Sequence, residues 1–159
     1  MFENNKFILN CVLIFSILSL SIAYFVQYIL GHLPCNLCLI ERIPYIAAVI
    51  LISLMFLIRK YMVPIISIVL IFFIFGALTS FYHVGIEQGL FDESLLCIDN
   101  SSESLSKEQL LEQLKNTPVS CKDVTFRFLG LSLATINAII SLILSGIMVK
   151  VLKNYGKNK

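Results

Sequence analysis

The chain has 159 residues, 58% of them hydrophobic and only 14% charged. A soluble domain of this size carries about half apolar and a quarter charged residues, so a water-soluble globule is excluded. The net charge of +2 is too small to suggest a nucleic-acid partner, and its distribution along the chain is more informative than its sum.

Four charge-free runs cover residues 7–40, 43–58, 61–86 and 128–149. A span needs about 20 apolar residues, and only helices or closed barrels satisfy the backbone in lipid. Barrel strands would alternate apolar and polar residues, which these runs do not. The expected fold is an all-α integral membrane bundle of four transmembrane helices in one domain, at about residues 7–30, 38–58, 62–82 and 127–149.

The first run begins like a signal peptide, with Lys6, an apolar core and Ser21-Ile22-Ala23 as a small-x-small site. Apolar residues continue through Phe25, Val26 and Tyr28 to Leu30, so the run has the length of a span and is expected to be kept as an anchor. Cys11 lies alone inside it and is expected to be a buried, inert small residue. Gln27 near its outer end has an ordinary interfacial reading, and Gly31-His32-Leu33-Pro34 makes a short turn.

The second span must begin within Cys35-Asn36-Leu37-Cys38-Leu39-Ile40-Glu41-Arg42. Counting only residues 43–58 gives about 24 Å of helix against a hydrocarbon core of about 30 Å, and starting at Cys38 closes the gap. Cys38 then lies near the outer membrane boundary, with Arg42 four residues on and slightly deeper, on the same helical face. Glu41, three residues from Cys38, is placed to offset or orient that cation. Pro44 removes a helix donor and weakens the turn holding Ile40. Thiolate is the reactive form of cysteine, and helix N-termini and nearby cations favour it. An arginine inside a span is expensive, so its default reading is functional, with snorkelling as the bland alternative.

The third span ends near His83, whose ordinary reading is an interfacial residue. The long segment 83–126 changes to an acidic, Ser- and Asn-rich composition. Within it, Ser106 and Gln109 form a capping box and Leu105 and Leu110 a staple, predicting a short amphipathic helix that ends at Pro118. Asn137 falls in the middle of the fourth span.

Seven Lys/Arg lie on the side of the two termini and the turn at residues 59–61, close to span ends, against five on the other side. The positive-inside rule therefore puts both termini in the cytoplasm and Cys35, Cys38, Cys97 and Cys121 together on the opposite face, making 83–126 extracytoplasmic. A disulfide between Cys97 and Cys121 has two readings, one structural and worth about 3 kcal/mol, the other exchangeable with the Cys35/Cys38 pair. A four-cysteine zinc site is disfavoured because 23 residues separate the second pair, so no metal is expected.

Pro34-Cys35-Asn36-Leu37-Cys38-Leu39-Ile40-Glu41-Arg42 resembles the Pro-Cys-x-x-Cys-x-x-Glu-Arg signature of the disulfide bond formation protein B (DsbB) family, and the order of the cysteine pairs and Phe128-Leu129-Gly130 fit it too. Vitamin K epoxide reductases, which do related chemistry, place their Cys-x-x-Cys after the loop cysteines. The resemblance implies a bacterial inner-membrane enzyme that re-oxidises a periplasmic thioredoxin-fold oxidase of the DsbA kind. Electrons would pass to membrane quinone, ubiquinone or menaquinone, in support of disulfide formation in exported proteins. Carried over, Cys97 forms the mixed disulfide with the partner and Cys121 resolves toward Cys35. Cys38 contacts quinone, Arg42 stabilises negative charge on the quinone oxygen, and His83 and Gln27 line the pocket. The alternative is a non-catalytic membrane protein using its cysteines for metal binding or structural disulfides.

Overall fold

The computed structural model describes residues 2–58, 61–92, 120–122, 127–128 and 130–156. Four stretches in it are helical, long and apolar enough to cross a membrane: Asn5–Tyr28, Asn36–Leu57, Met62–Glu87 and Leu133–Tyr155. Helix α1 covers Phe2–Tyr28, a short α2 covers Asn36–Ile40, α3 covers Ile43–Leu57, α4 covers Met62–Glu87 and α5 covers Leu133–Gly156. The acidic segment's predicted amphipathic helix lies outside the described residues.

The second crossing is the irregular one. Pro44 sits in the first turn of α3, where its missing N–H costs no helical bond, but it denies a donor to the carbonyl of Ile40. The chain therefore stops α2 at Ile40, tightens through a bond from the Arg42 N–H to the Leu39 carbonyl, and restarts as α3. Asn36–Leu57 spans 22 residues, or about 33 Å, so the crossing begins two residues before the predicted start at Cys38.

Helix α4 runs on to Glu87, past the span end expected at residue 82, and closes with a Schellman motif. Gly89 takes φ 72°, its N–H reaches the Ile86 carbonyl, and the Leu90 N–H reaches the Gly85 carbonyl at 2.8 Å. This keeps His83 one turn inside the helix. Before α5, strand β1 (Arg127–Phe128) pairs antiparallel with β2 (Leu131–Ser132) across a turn in which Gly130 adopts φ 83°. The Ser132 hydroxyl accepts the Thr135 N–H at 3.2 Å and starts α5 at Leu133, later than the span start expected near residue 127.

Helix α4 packs most extensively on α5 and next on α3, while α1 lies chiefly against α3. The core between them contains Leu9, Tyr45, Ile52, Ile66, Phe73 and Met148. Large apolar side chains such as Ile22, Ile50, Ile71 and Leu142 face outward, as a bundle in lipid requires. Cys11 is exposed on α1 rather than buried among helices, because that stretch of α1 turns it toward an open seam beside α5. At the α3–α4 crossing, a Cβ on Gly76 would come within 2.9 Å of the Pro44 ring and 3.4 Å of the Ser141 hydroxyl, so only glycine lets these helices approach. Gly76→Val is expected to destabilise the bundle by about 1–3 kcal/mol. Thermal unfolding in detergent measures this against Gly146→Ala, whose Cβ meets nothing within 4 Å.

Candidate functional site

Cys35 is the N-cap of α2 and is 5% exposed, and Cys38 lies one turn on and is half-buried. Both thiols are free, and their sulfurs are 2.9 Å apart. The Cys38 backbone N–H donates to the Cys35 sulfur at 3.3 Å. From α4, His83 brings Nε2 to 3.6 Å from the same sulfur, so Cys35 is approached by three polar groups in an apolar setting. Hydrogen bonding from Cys38 holds the Cys35 thiol well below its ordinary range, with burial opposing and His83 assisting.

The other face of the imidazole is also committed. His83 Nδ1 meets Glu41 Oε1 at 2.8 Å, and both side chains are buried. Glu41 Oε2 accepts from the Asn137 amide at 2.9 Å, and that amide also donates to the Ser80 hydroxyl at 2.8 Å. The Asn137 carbonyl accepts from the Tyr45 hydroxyl. Cys35, His83, Glu41, Asn137, Ser80 and Tyr45 thus form one connected polar chain through the bundle interior. With Nδ1 engaged by the Glu41 carboxyl, Nε2 is left to face Cys35. Glu87, one turn after His83, places a carboxyl oxygen 3.9 Å from the same Nε2.

Arg42 points elsewhere. Its Nη1 donates to Gln27 Oε1 at 2.6 Å, and its guanidinium lies 5.1 Å from the centre of the Tyr24 ring. The expected relation between Glu41 and Arg42 is therefore corrected: Glu41 turns inward to His83 and Asn137, and Arg42 turns to α1. The helix break at residues 41–42 separates them and also interrupts the continuous helical face expected to carry Cys38 and Arg42. Gln27 is a partner of that arginine as well as a boundary residue, and His83 is a buried member of the thiol environment rather than an interfacial one.

Cys121 is disulfide-bonded and 2% exposed, and it shares a small apolar cluster with Cys35, Leu37 and Ile86. Cys97 lies outside the described residues. The structure thus gathers Cys35, Cys38, His83 and Cys121 at one end of the bundle, with Arg42 and Gln27 beside them on the α1 side. A groove lined by Phe7, Cys11, Phe15, Ile143 and Lys150 lies toward the opposite end of α1 from Gln27 and is remote from this chemistry.

The match to the family model of disulfide bond formation protein DsbB covers residues 5–151. The chain belongs to the DsbB family. An uncharacterized protein of Rickettsia prowazekii (strain Madrid E) is 30% identical over 141 residues, covering 86% of this chain and 82% of that protein. No solved structure matches the chain. Membership in the DsbB family makes this a multi-pass inner-membrane thiol:disulfide oxidoreductase acting in disulfide formation.

The roles of Glu41 and Asn137 were not legible in the sequence as site features. Glu41 carried a signal as part of the Cys-x-x-Cys-x-x-Glu-Arg spacing, but one that pointed to Arg42, and Asn137 carried only that of an amide placed within a span that should not hold one without a partner. Two outcomes test this geometry. Asn137→Leu leaves one Glu41 oxygen unsatisfied and is expected to cost about 1–3 kcal/mol in thermal unfolding. In reduced protein with Cys11, Cys97 and Cys121 replaced by serine, thiolate ultraviolet absorbance is expected to persist below pH 7. His83→Ala removes one of the groups that lower Cys35, so the midpoint moves to higher pH.

Proposed function

We propose that this chain re-oxidises a periplasmic thioredoxin-fold thiol oxidase of the DsbA kind and passes the electrons to membrane quinone, with both termini in the cytoplasm. The observation that carries the proposal is the unequal setting of the two motif cysteines. Cys35 is buried in one cluster with Cys121, whereas Cys38, packed against the edge of that cluster, is half-buried and is followed by the outward-facing Leu39. That inequality supports a relay in which one sulfur exchanges with a second cysteine pair and the other communicates with the lipid.

In this reading Cys97 and Cys121 form the disulfide that receives electrons. A partner thiolate attacks Cys97, Cys121 leaves as thiolate, and the partner's second thiol completes its own disulfide by displacing Cys97. The Cys121 thiolate then attacks Cys35 in an oxidised Cys35–Cys38 disulfide, and Cys38 leaves as thiolate. Attack by the Cys97 thiolate on Cys121 releases Cys35 as thiolate and restores the loop disulfide. Two electrons now reside on Cys35 and Cys38, and their removal re-forms that disulfide. A quinone, when bound, supplies a lipid-soluble acceptor for two electrons and two protons. An oxidase of the DsbA kind has a potential of about −120 mV, so only a more oxidising acceptor can draw electrons from its dithiol.

The residues near Cys38 fit an acceptor with carbonyl oxygens. Arg42 has five N–H donors, one of which goes to Gln27, and its charge is unmatched by Glu41, which is turned away. Arg42 would stabilise negative charge on an acceptor oxygen, with Gln27 holding the guanidinium in place. His83, oriented by Glu41, would take the proton of Cys35 as its thiolate forms and return it as the cycle closes.

Quinone reduction followed spectroscopically in detergent, with a reduced thioredoxin-fold partner, tests the proposal. Turnover is expected to vanish in Cys38→Ser and to fall about a hundredfold in Arg42→Ala, the scale for loss of a group that stabilises developing charge. Unchanged quinone reduction in Cys38→Ser would end the proposal.

A further inference from the structure

We infer that the reduced Cys35/Cys38 pair and His83 form a binding site for a soft divalent cation of the zinc type, open only in the dithiol state. The inference goes beyond the redox reading and rests on three ligand atoms and the group behind them. The two sulfurs and the His83 imidazole nitrogen lie within 4.8 Å of one another. Tetrahedral zinc with Zn–S near 2.3 Å and Zn–N near 2.0–2.1 Å separates a sulfur and a nitrogen ligand by about 3.6 Å. The observed distance from Cys35 Sγ to His83 Nε2 is 3.6 Å. The two sulfurs, at 2.9 Å, must open to about 3.8 Å to share such an ion, a change that a turn of the half-buried Cys38 side chain supplies.

The imidazole is prepared for this task. A metal-bound histidine characteristically donates its other N–H to a carboxyl, which fixes the tautomer and strengthens the ligating nitrogen. His83 makes that arrangement: Nδ1 is on Glu41 at 2.8 Å and Nε2 faces the sulfurs. Glu41 is itself held by Asn137 at 2.9 Å, so the ligand is supported two layers deep. Two thiolates and an imidazole select soft or borderline ions over magnesium or calcium. The set differs from the four-cysteine site weighed from the sequence, because the third ligand is 48 residues away on α4.

The chemistry balances without any oxidant. The cation displaces to solvent the Cys38 thiol proton and the proton that Cys35 gives to His83, and takes both thiolates and the neutral imidazole as ligands. An oxidised pair has no thiolate to offer and does not bind. A bound cation would occupy the sulfurs from which electrons leave, so the same ion would inhibit turnover of the reduced enzyme and a chelator would restore it.

The test uses the full-length chain in detergent with Cys97 and Cys121 replaced by serine, so that only the first pair can respond. Cobalt(II) titrated into the reduced protein is expected to give thiolate-to-metal charge-transfer absorption at one equivalent, displaced by zinc. The same protein after oxidation is expected to give none, a control that changes no residue. His83→Gln is expected to weaken binding at least tenfold, and Glu41→Gln by about 10–100-fold, the usual effect of losing a group behind a ligand. Cys11→Ser should leave the titration unchanged. Absence of the charge-transfer band in reduced protein overturns the inference, as does full affinity in His83→Gln. Neither result bears on quinone reduction, which is read separately in metal-free buffer.

Discussion

A carboxyl group buried among four apolar helices is the constraint on which the rest of this structure depends. Glu41 is 7% exposed, and an unpaired group there would cost several kcal/mol. It is paired on both oxygens, by His83 of α4 and by Asn137 of α5. Asn137 in turn engages Ser80 of α4 and Tyr45 of α3. Apolar side chains in lipid discriminate weakly between rotations of one helix against another, since the tails are as apolar as the helices. A polar chain with both ends satisfied discriminates strongly. It fixes the rotation of α4 that turns His83 toward Cys35, and it does so from groups that never touch sulfur.

The break between α2 and α3 lets neighbouring residues serve different ends. In an unbroken helix Glu41 and Arg42 would differ by about 100° and compete for the same environment. Pro44 withholds the N–H that would have continued the helix, and the chain passes through a tight turn instead. Glu41 then enters the interior while Arg42 reaches α1, where Gln27 and the Tyr24 ring receive it. A salt bridge between adjacent residues would have neutralised both. Their separation keeps a cation at the edge of the bundle and an acid inside it, each with its own partners.

The parts of the fold set by local chemistry were legible in the sequence. Run length and the placement of charge gave four spans, and the Cys-x-x-Cys-x-x-Glu-Arg spacing gave the family. Helix ends were less legible, because Gly89 and Ser132 close and open their helices through backbone conformations that hydropathy does not register. The least legible were pairings set by tertiary packing. Glu41 and Asn137 are 96 residues apart, and proximity in the chain favoured the wrong partner, Arg42. Cys11 was misread for the same reason: a small residue in a span can face either core or lipid, and only the packing of α1 decides which.

The asymmetry of the two motif cysteines follows from these constraints and gives the proposed relay its direction. A disulfide with equivalent sulfurs can be attacked at either one, and the product would then depend on chance encounter. Here Cys35 is enclosed with Cys121, Leu37 and Ile86, and His83 stands beside its sulfur. Cys38 is the more open of the two. In the proposed relay a thiolate arriving from Cys121 would attack Cys35, and the more open sulfur, that of Cys38, would be expelled. Burial would then choose the point of attack, the leaving sulfur would carry the electrons, and the buried acid, bonded to His83, would keep the histidine turned toward the sulfur whose proton it exchanges.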